Sequence, residues 1–198
     1  MAFFDERYNS EEFFYGTNAN DFLQEKSLAL YSNSLILSMG EGEGRNSVYL
    51  AQKGHRIIAV DESAIGLNKA QKFAQLNNVQ IETIACDISQ FDFVDNTYDA
   101  IISIWFHLPS QLRKIIHSKC VKALKPGGFF ILEAYTPEQL NYGTGGPKDV
   151  DMLMRLIDLK SELQGLKLIN ETETVRMVKE GKGHDGMSAV VQILGQKF

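Results

Sequence analysis

Cysteine, proline and tryptophan are scarce in this chain. It has two cysteines, four prolines and one tryptophan among 198 residues. Cys86 and Cys120 have no metal-ligand spacing, and no cluster of histidines, cysteines and carboxylates accompanies them. A zinc centre or a disulfide framework is therefore not expected, and a reducing, cytoplasmic setting is the simplest one. A chain of this size buries roughly 70% of its unfolded surface, so its core needs no such staple. One domain spanning residues 1–198 is expected. Long apolar runs are also missing. None approaches the roughly 20 residues of a membrane span, and no membrane association is expected. The opening Met1-Ala-Phe-Phe-Asp-Glu-Arg7 is acidic where a signal peptide would be basic, so none is expected. There is no basic run. The net charge of −5 opposes non-specific binding to a polyanion, and nucleic acid is not an expected partner.

Glycine, by contrast, is placed with purpose. The apolar run Leu35-Ile-Leu-Ser-Met39 stops at three alternating glycines, Gly40, Gly42 and Gly44, and a helix-like segment follows directly. A second apolar run, Arg56-Ile-Ile-Ala-Val60, ends at Asp61. Strand, tight turn, helix and a second strand tipped by a carboxylate are implied. Glycines in such a turn permit positive φ and close backbone approach to a ligand. The helix amino terminus then faces that ligand, and the carboxylate can accept from ribose hydroxyls. A nucleoside-containing cofactor is expected.

The remaining chain reads as alternating elements. Helices are predicted over 45–53, 64–77, 109–123 and 148–163. Strands are predicted over 35–39, 56–60, 80–85, 98–105 and 128–135, with two more at 167–178 and 186–195. Glu180-Gly-Lys-Gly-His-Asp-Gly186 joins the last two as a hairpin. The alternation implies an α/β doubly wound, seven-stranded sheet, mostly parallel, with helices on both faces and an antiparallel C-terminal hairpin. Residues 1–34 hold a crowd of aromatics, Phe3, Phe4, Tyr8, Phe13, Phe14, Tyr15 and Phe22. They read either as packing for a leading helix or as a lid over the cofactor.

The glycine spacing is G-x-G-x-G. Asp87 follows a third apolar run, and Leu124-Lys-Pro-Gly-Gly-Phe-Phe-Ile-Leu-Glu133 combines a helix end, a break and a buried strand. These features, in this order, resemble the class I methyltransferases that use S-adenosylmethionine, with a Rossmann-like fold. Gly42-Glu-Gly-Arg-Asn-Ser-Val-Tyr-Leu-Ala51 resembles the glycine loop of the small tellurite-resistance-type enzymes, which are similar to thiopurine methyltransferases. The resemblance implies that Gly40, Glu41, Gly42 and Gly44 line the methionyl end. It also implies that Asp61 holds the ribose beside Glu62, that Asp87 accepts from the adenine amino group beside Ile88, and that backbone near Ser103 and Ile104 completes the pocket. Many such enzymes carry an acidic residue two positions before the first glycine, where this chain has Ser38; Glu41 or Glu43 is the candidate replacement. Arg45, heading the first helix, is a candidate for the methionine carboxylate or for an ion pair.

On the acceptor side, His107 in Trp105-Phe-His-Leu-Pro109 follows the fourth strand and is the candidate base, its usual pKa of about 6.5 being suitable. Helix capping is its plainer role. Tyr15, Tyr135 and His184 are candidates for acceptor contact. No Asn/Asp-Pro-Pro-Tyr/Phe motif of amino-methylating nucleic-acid enzymes is present, and no Pro-Cys nucleophile. The expected partner is a small molecule or oxyanion, and the expected state a monomer or weak dimer. A nicotinamide-dependent oxidoreductase and a non-catalytic cofactor-binding domain of the same fold are the alternatives.

Overall fold

The computed structural model describes residues 4–198; Phe3, counted above among the leading aromatics, lies outside them. The first strand, β1 (Leu35–Met39), pairs in parallel with β2 (Arg56–Asp61) on one side and β4 (Tyr98–Ile104) on the other. Outside them run β3 (Glu82–Ala85) and β5 (Leu124–Tyr135), also parallel. A long hairpin of β6 (Leu166–Glu180) and β7 (His184–Lys197) closes the far edge, β7 antiparallel to β5. The order is β3-β2-β1-β4-β5-β7-β6. Strand order reverses between β1 and β4, which places a ligand crevice at their carboxyl ends.

Side chains alternate across a strand, so neighbouring apolar residues feed opposite faces. Ile36, Ala100, Ile102, Phe129 and Ile131 pack with Phe22 and Leu23 of α2 (Asp21–Lys26) and Leu50 of α3 (Arg45–Gln52). Leu37, Met39, Ile101, Phe130 and Leu132 pack on the other face with Ile116 and Cys120 of α5 (Ser110–Ala123) and Leu159 of α6 (Leu156–Glu162). These unbroken apolar runs suit parallel strands covered on both sides. The helix α4 (Ala64–Leu76) starts at Ser63, whose hydroxyl accepts from the Gly66 N–H.

Helix 148–163 does not form as one piece. Asp149 caps a short 3₁₀ turn, Val150–Met152, and helix resumes only at Leu156. Between them the Met154 N–H is drawn to the Tyr135 carbonyl (2.9 Å), and Leu153 and Met154 are buried. Docking on the sheet outweighs helix continuity here. Strand β5 begins at Leu124, four residues before its predicted start, because Tyr98 pairs with Leu124 ahead of the Pro-Gly-Gly bulge.

Candidate functional site

At the carboxyl ends of β1, β2 and β4 lies a cavity of about 810 Å³, within the 300–1,000 Å³ typical of small-ligand sites. Gly40, Glu41, Arg45, Asp61, Glu62, Asp87, Ile88, Ile104, His107, Tyr15 and His184 line it. Gly42, Gly44, Ser103 and Tyr135 stand just behind.

The glycine turn is built as its spacing predicted, although each glycine serves differently. Gly40 and Gly42 have φ of +62°. A Cβ on Gly42 would stand 2.6 Å from the Tyr8 hydroxyl, and one on Gly40 would strike the Phe106 ring. Gly44, at φ +93°, lies against helix α4, where a Cβ would come within 2.6 Å of the Ala70 Cβ and 2.7 Å of its Cα. Gly44 thus permits close helix packing rather than ligand approach.

Asp61 ends β2 with both carboxylate oxygens engaged, Oδ2 by the Gly42 N–H and Oδ1 by the Ser63 N–H, each at 2.8 Å. Burial pushes its pKa up, and these two donors oppose the shift. Each oxygen keeps a lone pair for the cavity. Asp87 is different. Its carboxyl, mostly in solvent, is held below the usual range by the Ser89 N–H and hydroxyl.

Ser38, which stands where the acidic residue is missing, is tied to Glu41. The Ser38 hydroxyl donates to Glu41, whose other oxygen accepts from the Ser47 N–H at 2.9 Å. Glu41 is buried, and desolvation raises its pKa. Glu43 is committed elsewhere, to Lys69 (2.5 Å) and the Tyr15 N–H (3.2 Å). Arg45 is committed too: it forms a buried ion pair with Glu180 at 2.5 Å.

His107 departs from the expectation of a free base. The Tyr135 N–H donates to its Nε2 (3.0 Å), so Nδ1 carries the proton and faces the Trp105 carbonyl (3.1 Å). Both ring nitrogens are used by backbone. The residue is only half-buried, yet enclosure of the ring lowers its pKa to about 4. His184 is not in a solvent-facing loop. It is the first residue of β7, it is buried, and its Nδ1 lies 2.7 Å from the Tyr135 hydroxyl. Desolvation first, then Arg45, holds its pKa well below the normal value, while burial raises that of Tyr135. Tyr15, His184, Trp105, Tyr135 and His107 form a continuous stack of rings, with successive centroids 4.8, 5.1, 4.4 and 5.6 Å apart.

Local sequence patterns did not mark Tyr8, Asn20 or Glu180. Tyr8 ends a single helical turn, α1 (Asp5–Tyr8), anchored where the Ser63 hydroxyl donates to Asp5 (2.6 Å). Asn20 caps α2 through the Leu23 N–H and donates to both Glu133 (2.5 Å) and Glu180 (2.8 Å). Only the crowding of aromatics near the amino terminus hinted that this segment matters.

Residues 36–128 match the family described as a methyltransferase domain. That segment holds the glycine turn, Asp61, Asp87 and β4. Residues 36–128 form a methyltransferase domain of the class I, S-adenosylmethionine-dependent kind. It is 30% identical over 120 residues to the 2-heptyl-1-hydroxyquinolin-4(1H)-one methyltransferase of Mycobacteroides abscessus, covering 58% of this chain and 52% of that one. Its fold is similar to that of TehB from Haemophilus influenzae (TM-score 0.74, 18% identity, 99% of this chain and 66% of the other). It is also similar to an S-adenosylmethionine-dependent methyltransferase from Clostridium acetobutylicum (TM-score 0.67, 16% identity, 98% and 96%). The chain spans about half the length, or less, of the curated relatives it matches. The cofactor of a class I methyltransferase domain is S-adenosylmethionine. The residues suit it: the bare glycine turn, the Asp61 lone pairs and the charged Asp87 stand in the order of its methionyl, ribose and adenine parts.

Proposed function

We propose that this methyltransferase alkylates a small-molecule or metalloid acceptor at the Trp105–His184 end of the cavity. One observation carries the reading. The glycine turn and Asp61 border the same cavity as His184, which is backed by Tyr135. The cofactor supplies an activated methyl on a sulfonium. The protein then has mainly to align a nucleophile, and positioning alone contributes roughly 7–11 kcal/mol.

In this reading Asp61 and Asp87 orient the cofactor and the ring stack excludes water from the acceptor. The faces of Trp105 and Tyr15 suit a spreading positive charge. His107 fixes the Tyr135 backbone rather than accepting a proton. The Tyr135–His184 hydrogen bond fixes the neutral His184 ring beside the acceptor at pH 7. A soft anion, a thiolate or a selenium or tellurium oxyanion, needs little of that help. The acidic molecule and enclosed site favour a small acceptor.

The test is a panel of thiols, selenite, tellurite and small phenols assayed for S-adenosylhomocysteine. Turnover of at least one, lost in Asp61→Ala, is the expected result. Cofactor binding by calorimetry with no turnover of any acceptor would instead support a non-catalytic domain.

A further inference from the structure

Glu180 closes β6 and is almost fully buried, at 5% exposure. Its carboxylate collects donors from four parts of the molecule. Oε2 accepts from Arg45 of α3 at 2.5 Å and from the Trp105 indole N–H at 2.6 Å. Oε1 accepts from the Asn20 amide at 2.8 Å and from Arg176 at 3.4 Å. Arg176 also grips Glu133, which is wholly buried, through two hydrogen bonds of 2.8 and 2.7 Å. Two buried carboxylates thus face two guanidiniums, and the cluster is neutral as a unit.

Trp105 is the odd member. It leaves β4 with φ of +55°, a backbone region that a bulky side chain rarely occupies. Its N–H bonds to the Glu133 carbonyl (2.9 Å), and its ring stacks on Tyr135 and His184 while lining the cavity. Such a conformation persists only where its surroundings over-determine it. Glu180 supplies the polar part of that restraint. Through Asn20, the same carboxylate secures the foot of the segment that carries Tyr15 across the stack.

We propose that Glu180 is a positioning residue for methyl transfer: it seats the Trp105 indole as the wall of the acceptor site and ties the amino-terminal segment down over it. The inference rests on the proposed function for its catalytic consequence, but not for its structural one. Glu180 acts through Trp105 and touches no reacting atom.

Trp105 is the only tryptophan, so its fluorescence reports on this one contact. In Glu180→Gln the charge is lost and the amide NH2 must face donors, either Arg45 and the indole or Asn20 and Arg176. Trp105 emission should shift to the red, and acrylamide should quench it more strongly than in the parent. Glu180→Asp, which keeps the charge, should restore part of the difference. Emission and quenching unchanged in a folded Glu180→Gln protein would overturn the proposal. If that variant does not fold, Glu180→Gln with Arg45→Met removes this ion pair as a unit, leaves the Arg176–Glu133 pair, and gives the same readout.

With a working acceptor, Glu180→Gln should raise the acceptor KM by about tenfold with kcat held, the loss of one charge-assisted hydrogen bond. The same substitution in a Trp105→Phe background should add nothing. A full additional loss there would mean that Glu180 acts by another route. If no acceptor turns over, the proposed function fails and the quenching result still decides the placement of Trp105.

Discussion

Asp61 shows how much one side chain carries. It closes the glycine turn on Gly42, starts α4 through Ser63, and lines the cavity. Asp61→Ala should weaken S-adenosylmethionine binding by about 1.5–3 kcal/mol, the range for a hydrogen bond to a charged group. Titration calorimetry on the folded variant checks it, and unchanged affinity would remove Asp61 from the site. His107 makes an opposite kind of statement. Its folded pKa is about 4 against an ordinary 6.5, so the unfolded chain binds the proton more readily. Stability from this group is complete above about pH 6.5 and is lost as pH falls toward 4. Between pH 7 and pH 5 the loss is at most about 2 kcal/mol. His107→Gln should flatten that part of the pH–stability curve in urea unfolding. An unchanged curve would mean that the ring is charged in the native state.

Between elements, contacts turn on close approach and on buried charge. Gly44 lets the head of α3 lie on Ala70 of α4. Gly44→Ala adds a left-handed penalty of about 1–2 kcal/mol and overpacking of about 1–3 kcal/mol. It should lower stability by about 2–5 kcal/mol in urea unfolding, more than Gly42→Ala, whose nearest obstacle is the tip of Tyr8. Helices α5 and α6 are joined by Glu162, which accepts from Arg113 (2.9 Å) and lies 2.8 Å from His117 Nδ1, with its side chain 1% exposed. Arg113 also reaches the Asp151 and Leu153 carbonyls of the loop beside the cavity. Glu162→Ala leaves a buried guanidinium without its partner and should cost about 3–5 kcal/mol. A loss under 1 kcal/mol by chemical denaturation would show that water reaches the site.

Across the whole molecule, the amino-terminal segment is pinned along its length, with Lys69 and Lys182 also holding its middle. Asp5 meets Ser63, Tyr15 meets Glu43, and Asn20 meets Glu133 and Glu180. If it closes over the cofactor, amide exchange in residues 5–20 should slow on S-adenosylmethionine binding, as a water-excluding lid requires. Equal exchange with and without cofactor would make these residues plain packing. Cofactor at about 100 times its Kd should add about 2.7 kcal/mol of stability. For a domain of this size that raises Tm by roughly 5–10 °C. Among the described residues no helix is long and apolar enough to cross a membrane.

The sequence by itself determined everything that depends on local order. Apolar runs ending at glycines and carboxylates set the strands, their carboxyl ends, and the place of Gly40, Gly42, Asp61 and Asp87, because period and turn chemistry are properties of neighbours. The helix over 148–163 failed for the complementary reason. Its local pattern was helical, but Met154 found a better hydrogen bond on the Tyr135 carbonyl, 19 residues away. The fate of His107 could not be read either, since its Nε2 is satisfied by Tyr135 on the next strand. Glu180 lay in what reads as a glycine-rich hairpin, and only the closed sheet brings it within reach of Asn20, Arg45 and Trp105. Buried polar groups must find partners. Which partners they find is decided by the fold, because Asn20, Arg45, Trp105, Glu133 and Glu180 meet across 75 to 160 residues of chain.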